Sequence, residues 1–338
     1  MGLVSTADLQ SASLEDATVA VLGYGSQGRA QALNLRDSGI PVVVGLRAGS
    51  PHKVQAENDG LEVLEPAAAV ERASIVALLV PDEAQPGLYA RVVMPHLREG
   101  GGLVFAHGFN IHYGHIQPRA DLDVVLVAPS GIGEKLREQY RSGHGTAAFV
   151  AVGQDSSGRA RSHALAYARA LGAGRVAVIE TSFAEEVETD LFAEQAVLVG
   201  GLTRLMEAGF ETLVEAGYQP EIAYFSCLEE VKLMADMIYE RGLASLWQSI
   251  SSTAAFGGLE VGPRVIGEPA RAAMREALEN IRSGGFARAL DMETAAGSPR
   301  LQAAMEQARE RPIEAVRTRL RELARKDGVG PGGDKMAS

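Results

Sequence analysis

ATVAVLGYGSQGRAQALNLRDSG, residues 17–39, is the stretch that decides the fold of the first half of this chain. Residues 17–23 form a short β-branched run of the kind buried in a parallel sheet, and the segment from Ser26 onward reads as helix. Between them Gly23, Gly25 and Gly28 stand in the spacing G-x-G-x-x-G. The first glycine permits a tight turn, the second lets a pyrophosphate approach the backbone, and the third lets helix and strand pack closely. The helix N-terminus adds unpaired N–H groups and a favourable dipole. Strand, glycine turn and helix in that order predict a dinucleotide site, with Tyr24, Ser26 and Gln27 in the turn itself.

The alternation continues outward. Residues 41–46, 74–80, 101–108, 123–129 and 147–152 read as buried strands, with helix-length segments between most of them. This implies a parallel sheet with helices on both faces. Near Thr181 the pattern changes, and 183–217, 220–239, 269–282 and 299–325 all read as amphipathic helix. The expected architecture is an α/β Rossmann-type domain over 1–182 and an all-α domain over 183–327. The Gly-rich, aperiodic tail 328–338 is expected to be disordered.

Composition narrows the function. A chain of 338 residues accommodates two cores, and 46% apolar with 22% charged residues is ordinary for a soluble globular protein. No apolar run is long enough to span a membrane. With 43 acidic against 32 basic residues, a net charge of −11 and no basic cluster, nothing is suited to a nucleic acid backbone. The single cysteine, Cys227, precludes an intramolecular disulfide and fits a reducing cytoplasm; its apolar helical setting predicts a packing role.

The end of the second strand selects the cofactor. An NAD site normally carries Asp or Glu there, but this chain reads GLRAGS, with Arg47 and Ser50. A guanidinium and a hydroxyl suit a 2′-phosphate, so the expected cofactor is NADPH. PDEAQ, with Asp82 and Gln85, follows the third predicted strand and belongs to the same edge of the sheet. In the helical half, TDLFAEQ puts Asp190 and Glu194 on one face, and FSCLEEVK puts Ser226 and Glu230 on another. Carboxylates on facing helices cage hard divalent cations, and here one corner is a serine.

Together GYGSQGRAQALNLRDSG, VGLRAGS, PDEAQ, FAHGFNIHY, IETSFAEEVETDLFAEQAVLVGG, GFETLVEAGYQPE and AYFSCLEEVKL resemble ketol-acid reductoisomerase of the short-chain class, over about residues 8–327. The resemblance implies an NADPH-binding Rossmann-type domain followed by a knotted helical domain. It also implies a homodimer or larger assembly with the active site between subunits. The implied reaction converts a 2-acetohydroxy acid to a 2,3-dihydroxy acid in branched-chain amino-acid synthesis: magnesium drives an alkyl migration and NADPH reduces the resulting ketone. By the same resemblance, His107 lies beside the nicotinamide, Asp190 bridges two ions, and Glu194 and Glu230 are further ligands. Ser251 touches the substrate carboxylate, while Gly25, Gln27, Arg47, Ser50 and Gly133 fall at cofactor positions.

Departures from the family pattern cluster at the chemistry. APSGIGE has Ser130 where the family has lysine, with Ile132 and Glu134 close by. YFSCLEE has Ser226 in place of a ligating glutamate, and ISSTAAFG keeps Ser251 but carries Ser252, Ala255 and Phe256. Ser130, Ser226 and Ser251 are therefore expected at the substrate. Glu229, three residues after Ser226, lies off the ligand face and is not expected to replace the missing carboxylate. The expectation is one magnesium site with the second weakened, and reduction of a small carbonyl or imine retained while isomerisation is weakened or lost. A working reductoisomerase and a non-catalytic NADPH-binding scaffold are the alternatives; His107, Asp190, Glu194 and Glu230 argue against the scaffold. His112 and His115, three apart, and His144 in a Gly-rich loop read as ordinary polar positions, and Trp247 as helix packing.

Overall fold

The computed structural model describes residues 2–14 and 17–326, so the predicted tail 328–338 lies outside the described residues. The chain divides into two compact units, Met1–Thr189 and Asp190–Ser338. The helix that opens where the sequence pattern changes, Phe183–Ala193, contains that division.

In the first unit nine strands form one sheet: β1 (Gly2–Leu3), β2 (Val19–Leu22), β3 (Val42–Gly45), β4 (Glu62–Leu64), β5 (Ile75–Leu78), β6 (Gly102–Phe105), β7 (Asp123–Pro129), β8 (Ala148–Gln154) and β9 (Val178–Glu180), in the order β1-β9-β8-β7-β6-β5-β2-β3-β4. The central strands are buried on both faces, as their continuous Val, Ile, Leu and Ala content requires. One apolar cluster holds Val19, Val21, Val44, Leu33 and Leu35 together with the helix Ala160–Ala170. A second, on the opposite face, holds Ala20, Leu22, Val43, Tyr89, Val93 and Leu97.

The sheet is not wholly parallel as expected. β7 pairs β8 antiparallel, and β1 pairs β9 antiparallel. The chain leaves β7 into a helix, Gly133–Arg141, that stays at the same end of the sheet. There Arg137 donates to Asn34 Oδ1 (2.8 Å) and Asp37 Oδ2 (2.6 Å) of the helix Ser26–Asp37. With that helix anchored, the chain re-enters where it left: Ser130 N–H donates to Ala147 at 2.8 Å, and β8 runs back beside β7.

Asp123, at the start of β7, fixes the following loop. Its carboxylate, 2% exposed, accepts from Ser156 N–H (2.9 Å), Ser157 N–H (3.0 Å) and the Ser157 hydroxyl (2.6 Å). Burial alone would raise this carboxyl, but the bonds from Ser157 and Ser156 outweigh it and hold it below the ordinary range. His163 lies 3.5 Å from the same carboxylate, and burial holds its imidazole below the usual histidine range. Both groups bind protons more readily in the unfolded chain, so both lose stability as pH falls. The histidine contribution fades below about 6.5 and the aspartate contribution below about 4. Asp123→Asn should therefore cost about 1–3 kcal/mol at pH 7. In urea unfolding followed between pH 7 and pH 3, the gap between variant and parent should close at the acid end.

The second unit is helical, as its periodicity predicts. Phe183–Ala193, a π-helical segment Glu194–Leu202 and Thr203–Glu215 form one continuous run. A second π segment, Phe225–Glu229, joins Pro220–Tyr224 to Glu230–Ser249. The single helix expected over 299–325 is in fact two, Pro299–Arg309 and Pro312–Lys326. Pro312 has no N–H to continue the first helix but suits the first turn of the next. A small core of Phe210, Ala223, Tyr224, Ile313 and Val316 holds part of this unit, and half-buried Cys227 packs against it as expected.

Candidate active site

A cleft of about 850 Å³ opens at the ends of β2, β3, β5 and β6. Gly23, Tyr24, Gly25, Ser26 and Gln27 line it from the glycine turn, Arg47 and Ser50 from beyond β3, Asp82 and Gln85 from beyond β5, and His107 from beyond β6. The predicted cofactor positions thus gather at one opening, with two exceptions. Gly28 lies behind the turn, where a Cβ would fall 2.2 Å from the Gly23 carbonyl oxygen, so its part is the close packing of helix on strand. Gly133 likewise is not on the cleft. Its N–H donates to Ser26 Oγ (3.1 Å), and a Cβ there would meet the Ser26 carbonyl oxygen at 2.0 Å. The physical reason is a seam between two loops: Gln27 Nε2 also donates to the Gly131 carbonyl (2.9 Å), tying the loop after β7 to the glycine turn. Ser130 starts that loop and does not line the cleft.

The turn is braced from below. The Tyr24 side chain is 2% exposed, and its hydroxyl donates to Asp59 Oδ2 (2.9 Å), where Arg29 makes a two-pronged ion pair (2.7 and 2.9 Å). Burial, reinforced by Asp59, pushes the phenol well above its ordinary range, while Arg29 holds the Asp59 carboxyl below its own. Tyr24 therefore stays neutral and serves as an anchor. Gln85 is buried too: Nε2 donates to Val80 O (3.1 Å) and Asp82 Oδ1 (3.0 Å), and Oε1 accepts from Asn110 (3.0 Å). Its amide shapes the loop after β5.

At the far end of the cleft, His107 Nδ1 lies 3.3 Å from Glu186 Oε1, and Gly108 N–H donates to Glu186 Oε2 at 3.3 Å. Glu186 is 7% exposed and comes from the first turns of Phe183–Ala193. Gly108 lets that helix approach, since a Cβ would meet Phe183 at 2.8 Å and Val187 at 2.9 Å. The carboxylate holds the imidazole proton on Nδ1 and fixes the ring's orientation. Sequence reasoning missed Glu186, yet the four-residue spacing of Asp190 and Glu194, read one turn back, reaches it. Asn110 and the cleft-lining His52 and Arg91 were missed as well. His115 bonds Asn110 (3.2 Å), His112 faces Glu188 (3.7 Å), and exposed His144 bonds Ser142 (3.0 Å).

On the second unit Asp190 and Glu194 are exposed, Glu194 opening the π segment. Ser226 and Glu230 are exposed around the second π segment, whose wider turn keeps residues four or five apart near one another. Glu229 accepts from the Tyr224 hydroxyl (3.2 Å). Ser251 caps Ser252–Val265, its hydroxyl oxygen accepting from Ala254 N–H (3.1 Å). An all-carboxylate donor set with solvent access fits magnesium. Among the described residues, no group of three ligand side chains unites Glu230 with Asp190 and Glu194.

Residues 13–177 match the family model described as acetohydroxy acid isomeroreductase, NADPH-binding domain, and residues 183–326 match that of ketol-acid reductoisomerase, C-terminal domain. Among solved structures, an NADH-preferring ketol-acid reductoisomerase from an uncultured archaeon is 42% identical, with 96% of this chain and 99% of that one covered and a TM-score of 0.92. A semialdehyde dehydrogenase NAD-binding protein from Cupriavidus necator, in complex with calcium and NAD, is 21% identical over 79% of this chain and 99% of its own, with a TM-score of 0.60. A pyrroline carboxylate reductase from Plasmodium falciparum with NADP bound is 15% identical over 81% and 100%, with a TM-score of 0.51. These last two show likeness of fold.

Proposed function

Since the chain belongs to the ketol-acid reductoisomerase family and is an NAD(P)-dependent oxidoreductase, we propose that it uses NADPH to reduce a small carbonyl or imine compound, with metal-driven isomerisation weakened or lost. The observation that carries this reading is Ser226 on an exposed ligand face beside Glu230, with Glu229 taken up by Tyr224. Arg47 and Ser50 in the cleft support NADPH. The archaeal relative's preference for NADH belongs to that protein.

The residues divide the work. The glycine turn and its helix hold the pyrophosphate, Arg47 and Ser50 the ribose phosphate. His107, oriented by Glu186, stands where it can hold or pass a proton beside the nicotinamide. Asp190, Glu194 and Glu230 would hold magnesium, which when bound polarises substrate oxygens as a Lewis acid. Alkyl migration needs two adjacent oxygens gripped together, whereas hydride transfer needs one polarised C=O or C=N bond and good cofactor geometry.

The exposure of Val199, Leu233, Tyr239, Phe256 and Leu259 on a unit whose own core is small supports a homodimer whose site joins both copies. Among the described residues no helix is long and apolar enough to cross a membrane. The lone, half-buried Cys227 is consistent with a cytoplasmic setting.

A fully working reductoisomerase is the second reading, favoured by the retention of three ligand carboxylates. Purified protein with magnesium and NADPH separates the two. Turnover of the already isomerised 3-hydroxy-2-keto acid, with acetolactate at least a hundredfold slower, is the expected result (about 3 kcal/mol in barrier). Comparable rates on the two substrates would establish the second reading. Cofactor binding without turnover of any carbonyl or imine would leave only a scaffold.

A further inference from the structure

Resting on the NADPH reading above, we propose that Arg91 is a second guanidinium for the phosphate on the adenosine ribose, acting together with Arg47. Arg91 belongs to the short π-helical segment Tyr89–Val93 that follows β5, while Arg47 follows β3. In the sheet β2 lies between those two strands, so the arginines approach the glycine turn from either side, and both line the same cleft. Tyr89 and Val93 are buried in the apolar cluster below, and the Tyr89 hydroxyl accepts from Arg119 N–H at 2.9 Å. This roots the segment and leaves Arg91, between them, on its exposed side.

Two further observations point to an anionic ligand. Arg29, Arg36 and Arg72, on neighbouring elements, each pair with a carboxylate. Neither Arg47 nor Arg91 does so among the described residues, in a chain whose net charge is −11. Two uncompensated guanidiniums on one cleft attract an anion strongly, and two such forks together match a phosphate dianion. The place of the second is also prepared. A Cβ on Gly87, one turn earlier, would lie 2.9 Å from Arg91 Nη2 and 3.0 Å from Nη1. The guanidinium thus rests in the space that a side chain at position 87 would occupy. A cofactor with a plain 2′-hydroxyl offers no charge for this group to meet, so Arg91 contributes to choosing between the two nicotinamide cofactors as well as to affinity.

Calorimetric titration of the full-length protein with 2′,5′-ADP and with 5′-AMP, which differ only in the 2′-phosphate, tests this without turnover. Arg91→Gln should weaken 2′,5′-ADP about tenfold, the worth of one charge-assisted hydrogen bond, and leave 5′-AMP within about twofold. Gly87→Ala, which moves the guanidinium without removing it, should produce a smaller loss in the same direction. An equal loss for both nucleotides would make Arg91 a general adenosine contact, and no loss would make it a bystander; either result overturns the proposal. A parent protein with no preference for 2′,5′-ADP would overturn the NADPH reading itself, and this proposal with it. A parent preference that survives intact in Arg91→Gln would sink only the role of Arg91.

Discussion

Ser226→Glu should tighten magnesium binding by about 10- to 100-fold and bring acetolactate turnover above that of the parent. The reason is charge. Two dications about 4 Å apart repel with four times the unit-charge energy, about 16 kcal/mol at an effective dielectric constant of 20. Bringing both into one site requires enough carboxylate to offset that term, and the fourth corner here is neutral. Ser226 is exposed on a π segment, so a longer acidic side chain meets solvent there and disturbs no core. The effect on folding should stay within about 0.5 kcal/mol. Ser226→Gln supplies the length without the charge and should leave affinity where it was. Titration with magnesium, followed by NADPH oxidation on acetolactate, reads both parts. If Ser226→Glu binds the metal no better than Ser226→Gln does, the serine is not what limits the site, and the case for lost isomerisation collapses.

What the sequence made legible was whatever depends on local pattern. β2, β3, β5, β6 and β7 are apolar runs buried on both faces, β8 is an apolar run that exposes Phe149 and Val152, and each appears where its run stands. β1 is two residues long and β4 mixes Glu62 with half-buried apolar residues, so neither carries a run to read; β9 ends the short apolar run 176–179, which is not among the expected strands. The direction of β8 was not legible because hydrophobic period carries no sign; the anchor that reverses the chain, Arg137 on Asn34 and Asp37, joins residues about a hundred positions apart. The same distinction governs the site. Glycine spacing, Arg47, Ser50 and His107 could be placed from short motifs. Glu186 and Asn110 act on residues 79 and 25 positions away, and only the folded chain brings them there. Arg91 had no motif at all, since it matters through a missing side chain at Gly87. The π segments were equally hidden, because their wider turn preserves the four-residue grouping that an ordinary helix gives.

Gly28→Ala should abolish measurable NADPH binding, a loss of at least about a hundredfold, while lowering stability by about 1–3 kcal/mol. The added methyl would sit 2.2 Å from the Gly23 carbonyl oxygen and 2.9 Å from its carbon. Both are backbone atoms of the turn that receives the pyrophosphate, so no side-chain rotation relieves the overlap. The Gly23 backbone also lies close against Leu79, where a Cβ on Gly23 would fall 2.8 Å from the Leu79 carbonyl oxygen, and its φ of 102° lies in the region that favours glycine. The strain is therefore relieved by lifting the helix Ser26–Asp37 away from β2, and with it the N–H groups of the phosphate site. Displacements near 1 Å are enough to cost a hundredfold where geometry does the binding. Gly39→Ala is the matched control. Gly39 also has a positive φ, of 82°, but a Cβ there meets nothing within 4 Å. It should lose about 1–2 kcal/mol to backbone strain and keep its nucleotide affinity. Thermal unfolding together with calorimetric NADPH titration of both variants separates instability from lost binding. A Gly28→Ala protein that binds NADPH as the parent does would mean that the close seat of helix on strand is not what holds the phosphate turn in shape.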